Sequence, residues 1–223
     1  MADPANPDLM TMVFSAVLSG TVASSLINLG WNAWTRKADR KREEAKEANR
    51  IKHVYLDIAR DLELFSSECA VQMSEIENAQ HAYYTAEDRH ALGKLQLTKL
   101  RFDTEPSWID LPVEFVDTIK DLIVRFDAAG KWIANAFQDW ADPADAGSFE
   151  QERLAFYGNL AARIARDTRK KIGAGRSVTD SYQEKFDHFL AGCKTRYLSN
   201  SCEIFIPDLQ EQFNQSSSIT EVA

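Results

Sequence analysis

The fold class this sequence predicts is all-α, and three observations predict it. Six Pro and nine Gly in 223 residues are few, and they fall in clusters with long uninterrupted stretches between them. Apolar residues recur at spacings of three and four along most of the chain. An apolar share of 44% is enough to close a core, which sets wholesale disorder aside. The expected architecture is a single N-terminal transmembrane helix continuing into a long helix, then an up-and-down bundle of four to five helices on the cytoplasmic side. Its expected divisions are a short extracytoplasmic start at 1–8, a span at 9–35, a basic stalk at 36–50, the bundle at 51–200 and a tail at 201–223.

The first element rests on charge. No residue from Leu9 to Thr35 is ionisable. A helix of that length reaches roughly 40 Å, against roughly 30 Å of hydrocarbon. Ser15, Ser19, Thr21, Ser24, Ser25 and Asn28 dilute the run, so mean hydropathy over 12–30 is about 1.5, at the margin for a span. Trp31 and Trp34 stand where the run ends, as aromatic residues do at a membrane interface. Arg36, Lys37, Arg40, Lys41 and Arg42 follow, a cluster suited to the cytoplasmic headgroups. A cleaved export signal would carry its bases before the apolar run and small residues after it. Here the order is reversed, so an uncleaved span with its N-terminus outside is expected in a cell membrane, of the bacterial inner-membrane type. Ala16, Gly20, Ser24 and Asn28 share one helical face at four-residue spacing, a seam along which small residues let two helices approach. Homo-oligomerisation is the expected use of that seam, because Asn28 facing lipid alone would be costly.

From Thr35 to Leu92 there is neither Gly nor Pro. The polar stretch RKADRKREEAKEANRIK reads as a solvated stalk. After it Ile51, Tyr55, Ile58, Leu62, Phe65, Cys69, Ile76 and Tyr83 trace a buried seam, in a bundle first and in a homotypic coiled coil second. Thr85 with Asp88 resembles a capping box and predicts a second helix, although KLQLTKLRF alternates like a short strand. Pro106 and Pro112 mark a connection. Val113 to Trp140 is periodic through Phe115, Val116, Ile119, Leu122, Ile123, Phe126, Ile133 and Phe137, and ADPADAG is expected to end that helix. Ser148 with Gln151 then caps a helix running to about Ile172, which GAGRS breaks. A last helix is expected from about Thr179 to Leu198, with Tyr182, Phe186, Phe189, Leu190 and Tyr197 inward. The closing NQSSSITEVA reads as a tail.

Charge is unevenly spread around the net −8. Residues 36–52 hold eight bases against four acids, and 163–176 hold six against one, while 53–162 hold nine against twenty. An acidic body with two basic patches argues against nucleic acid as a partner. It suits membrane lipid at the first patch, and an anionic ligand or lipid at Arg163, Arg166, Arg169 and Lys170.

Chemistry is sparse. Cys69, Cys193 and Cys202 are odd in number, without Cys-x-x-Cys spacing, so reduced thiols are expected rather than a disulfide framework or zinc site. Glu87 and His90 make one Glu-x-x-His unit, but a di-iron carboxylate site needs two, and Lys185 stands three before His188. Glu77 with His81, and Glu184 with His188, are surface pairs one turn apart. KKIGAGRS lacks the Gly-x-x-x-x-Gly-Lys-Ser/Thr spacing of a phosphate loop, and its bases suit a helix C-terminus. No catalytic residue, cofactor or metal is therefore expected. The expected function is that of a non-enzymatic, membrane-anchored scaffold, sensor or regulatory subunit with a protein partner. A membrane-disrupting effector of the bacterial immunity or toxin kind is the first alternative, and a ligand-binding helical bundle the second.

Overall fold

The structure, a computed structural model, describes residues 7–85, 90, 92, 99–100, 102, 106–177, 179–199 and 203–220; within the helices it leaves out the side chains of 7–30, 32–33, 180 and 217–220. The described residues hold five α-helices and no strand: α1 (Pro7–Tyr84), α2 (Val113–Asp139), α3 (Pro143–Ile172), α4 (Asp180–Ser199) and α5 (Pro207–Thr220). A single 3-10 turn, Trp108–Asp110, precedes α2. By its internal contacts the chain divides into two compact units, Met1–Arg50 and Ile51–Ala223.

In the first unit the described side chains from Trp31 to Arg50 are exposed, apart from the half-buried Thr35 and Ala38. Local pairs decorate this face, such as Arg50 on Glu47 at 2.5 Å. In water a solvated i,i+3 pair of this kind is worth only a few tenths of a kcal/mol, so it does not hold the helix by itself. Among the described residues no helix is long and apolar enough to cross a membrane. The structure lends the span expected over 9–35 no support, and most of its side chains, those of 9–30 and 32–33, lie outside the described residues. The side chains that would form its association seam, Ala16, Gly20, Ser24 and Asn28, lie outside the described residues.

The second unit is a helical bundle arranged around α3. From Ala146 to Ala162 that helix is buried or half-buried at every position, yet it is not especially apolar; it achieves burial with small residues. Ala155, Gly158, Ala161, Ala162 and Ala165 are all buried and let neighbours come close. α2 and α4 both pack against α3. From α1, Gln80 reaches the Ala144 carbonyl and the Ser148 hydroxyl, and the Met73 carbonyl accepts from Gln151. Tyr55, Ile58, Leu62, Phe65, Cys69, Met73 and Ile76 of α1 enter the core, as do Ile119, Leu122 and Phe126 of α2. Each such side chain contributes about 1.5–3 kcal/mol on full burial. One ion pair lies inside this apolar setting. Arg153 forks onto Glu150 through Nε at 2.8 Å and Nη2 at 2.5 Å. It also donates to the Phe126 carbonyl at 3.1 Å, and its guanidinium lies 3.9 Å from the Phe126 ring centre. Desolvation raises the Glu150 pKa against the opposing pull of Arg153.

Helix ends explain where the reading of the sequence holds and where it shifts. α2 closes one residue before the expected Trp140. α3 begins at Pro143, ahead of Ser148, because Asp142 is its N-cap: Asp142 accepts from the Ala144 and Asp145 amides, and Asp145 reaches back to the Asp142 amide. Pro143 sits at the first helical position, where its missing N–H costs nothing. ADPADAG thus opens a helix. Gly173 ends α3 with φ 71°, and the amides of Gly173 and Ala174 return to the Lys170 and Arg169 carbonyls, a left-handed cap that GAGRS foretells. Thr85 does not open a helix; its hydroxyl donates back to the His81 carbonyl at 2.9 Å and finishes α1. The rest of the second helix expected there lies largely outside the described residues. The segment taken as a tail carries α5, with Pro207 at its start and Asp208 in its first turn.

Candidate functional site

In the first unit α1 displays Trp31 and Trp34 one turn apart. Both indoles are about two-thirds exposed, with ring centres 5.5 Å from each other. Arg36, Lys37, Arg40, Lys41 and Arg42 follow, all exposed. Arg42 approaches Asp39 at 3.8 Å, a solvated contact that leaves the positive balance of this stretch in place. The residues read from the sequence as a membrane interface thus lie together on one solvent-facing helical stretch.

The second basic patch is divided by its pairings. Arg163, Arg166 and Lys170 are exposed on α3, and Arg166 donates to Gln183 at 2.6 Å. Arg169 turns inward, forking onto Glu63 of α1 at 2.5 and 2.7 Å. That carboxylate raises the Arg169 pKa, so Arg169 serves as a tie between helices. Lys171 is also committed, to the Tyr55 hydroxyl at 3.0 Å and the Tyr55 ring at 4.8 Å. What faces solvent is a smaller basic surface than the sequence suggests. Of the histidines, His53, His81, His90 and His188 are exposed, and the described residues contain no group of three or more side chains that could hold a metal ion. Cys69 and Cys193 are buried free thiols. Burial raises both pKa values, that of Cys193 to about 12, which leaves almost no thiolate for nucleophilic attack.

A third place was not visible in the sequence: a cavity of about 520 Å³ in the second unit. α3 lines it with Asp145, Ser148, Phe149 and Glu152, whose spacing of three, four and seven sets them on one face. α4 adds Phe189 and Arg196, two turns apart, and Trp140 closes one side from the end of α2. Glu203 and Ile204 come from the extended segment before α5. Glu152 is buried, with one carboxylate oxygen accepting the Ile206 amide at 3.1 Å and the other 3.5 Å from Arg196 Nη2. Burial is the larger influence and lifts the Glu152 pKa to about 7. Arg196 makes its closer bond to Glu203, Nε to Oε1 at 2.7 Å. These residues lie up to 64 positions apart in sequence, and no motif links them. The available signal was the α3 spacing alone, shared with any amphipathic helix.

No protein-family model matches this chain, and neither a curated protein nor a solved structure matches it. The class that fold and side chains define is therefore the coarse one, an all-α helical-bundle protein.

Proposed function

We propose that the chain is a non-enzymatic, single-pass membrane protein whose bundle faces the cytoplasm and which acts as a scaffold, sensor or regulatory subunit through self-association. One observation carries the reading: 27 uncharged positions, Leu9 to Thr35, include two exposed indoles near their end, Trp31 and Trp34, and five exposed bases follow. Large indoles left in solvent beside a basic cluster are the composition of a lipid headgroup contact. The seam of Ala16, Gly20, Ser24 and Asn28 supplies the means of association. Arg163 and Lys170 add exposed bases on the bundle, suited to an anionic headgroup or an acidic partner, beside Arg166, which is held by Gln183.

The test is fractionation of cells expressing the full chain or a form lacking residues 1–35. Full-length protein is expected in the membrane pool and the shortened form in the soluble pool; full-length protein in the soluble pool overturns the proposal. Gly20→Leu is expected to shift cross-linked oligomers toward monomer without changing the membrane share. The same polar seam would serve a membrane-disrupting effector. Rapid depolarisation on induction, dependent on residues 9–35, would favour that reading over a quiet anchor.

A further inference from the structure

We propose that the cavity lined by α3, α4 and residues 203–204 binds a small organic cation, an alkylammonium or guanidinium group on a free small molecule. The inference is independent of the membrane reading. Three features of the cavity point to it.

First, the lining carries Asp145, Glu152 and Glu203 against the single base Arg196. Arg196 lies close to Glu203 and only at the limit of a hydrogen bond from Glu152. Among the described residues, that 3.5 Å contact is the one hydrogen bond or ion pair at the second oxygen of Glu152, whose side chain is 3% exposed. A buried carboxylate so weakly neutralised gains from a further cation. Its raised pKa has the same origin, desolvation outweighing the pull of Arg196.

Second, the apolar wall is aromatic. Trp140 is half exposed and its ring centre lies 5.7 Å from that of Phe149, with Phe189 across the cavity on α4. Aromatic faces attract ammonium and guanidinium groups and do little for anions. Third, the size suits a small molecule: about 520 Å³ falls within the range of ligand pockets. An anion would have to compete for Arg196 with two carboxylates already beside it.

The groups facing Glu152 are Arg196 and Cys193 from α4, Glu203 from the segment before α5 and the Ile206 amide. Only the ionised form of Glu152 attracts a cation, so affinity should rise as pH climbs through about 7.

The experiment titrates the full-length protein with phenethylamine and agmatine, and with phenylpropionate as the anion of matched size, by calorimetry and by thermal unfolding. The amines are expected to saturate one site with Kd below about 1 mM, to raise the Tm, and to bind more tightly at pH 8 than at pH 6. Trp140→Ala and Glu203→Gln alter half-exposed positions and should each weaken binding about tenfold with helicity retained. Any of three results overturns the proposal: no saturable amine binding up to about 10 mM; equal binding of phenylpropionate; or affinity unchanged in both variants, which would place the amine elsewhere on this acidic chain.

Discussion

Gly158 stands on α3 where α1 and α4 converge. A Cβ there would sit 2.9 Å from the Cβ of Cys69 and 2.9 Å from Cζ of Phe186. Both neighbours are fully buried, so neither has room to retreat. Gly158→Ala should therefore cost about 1–3 kcal/mol through overpacking, despite the better helix propensity of Ala. Urea unfolding of the two proteins measures it, and equal midpoints would show that the helices part more easily than their packing implies. Glu152 gives a residue-scale prediction in pH. Its folded pKa is raised from 4.5 to about 7, so the folded state holds a proton there that the unfolded state releases. The stability associated with that proton is fully present below about 4.5 and is lost as pH rises to about 7. Glu152→Gln keeps an acceptor for the Ile206 amide and removes the titration. From pH 5 to pH 8 the wild type should lose stability relative to this variant, read as the change in their Tm difference. A constant difference would mean that Arg196 neutralises Glu152 more fully than a 3.5 Å contact suggests.

At the scale of elements, α5 shows best what the sequence concealed. Phe205, Ile206, Leu209 and Phe213 are buried, with the Phe213 ring 5.2 Å from Tyr197 and 5.6 Å from Phe205. Those four apolar residues precede a polar run, NQSSSIT, whose composition masks the short amphipathic face. α5 is also fixed by a polar contact that no local pattern announces. The Asp208 carboxylate accepts from Arg125 Nε of α2 at 2.8 Å and from the Tyr157 hydroxyl of α3 at 2.7 Å. Burial and that carboxylate together raise the Tyr157 pKa, which keeps its proton on the hydroxyl. Asp208→Ala should cost about 1–3 kcal/mol, because it strands the Tyr157 hydroxyl inside the protein. Hydrogen exchange should quicken first in α5, and a double-mutant cycle with Tyr157→Phe should return a coupling of about 0.5–3 kcal/mol. Zero coupling would reduce the contact to a bystander. By contrast α2 and α4 were legible within about a residue, because periodicity of three and four directly records one buried face. Phe137 is the exception in α2: it keeps the period yet is 51% exposed, since periodicity names a face and not where the partner helix ends. The start of α3 was misplaced because Asp-Pro serves both as a breaker and as an N-cap followed by a first-turn proline; only the Asp142–Asp145 bonds decide between them. The cavity was illegible for a related reason, being assembled by the packing of α3 and α4 around Glu152.

For the whole molecule, the distribution of the core decides what can be removed. Every core residue among the described ones lies at Tyr55 or beyond, and Ile51–Ala223 forms a compact unit by itself. The ties that close this unit are internal to it: Arg169 to Glu63, Lys185 to the Ala70 carbonyl at 2.8 Å, Gln80 to Ser148, and Asp208 to Arg125 and Tyr157. None of these bonds uses a residue before Ile51. A fragment starting at Arg50 should therefore fold without the preceding residues, with one cooperative thermal transition. Its Tm should fall within a few degrees of the full-length value, because a loss of 1 kcal/mol corresponds to about 2–4 °C at this size. Circular dichroism on both forms checks the expectation. A fragment that unfolds broadly, or that folds only when full-length chain is added, would mean that residues 1–49 stabilise the bundle through contacts outside the described core. Should the fragment fold as expected, membrane attachment and self-association can be dissected by changes to residues 9–50, with the stability of the bundle held constant.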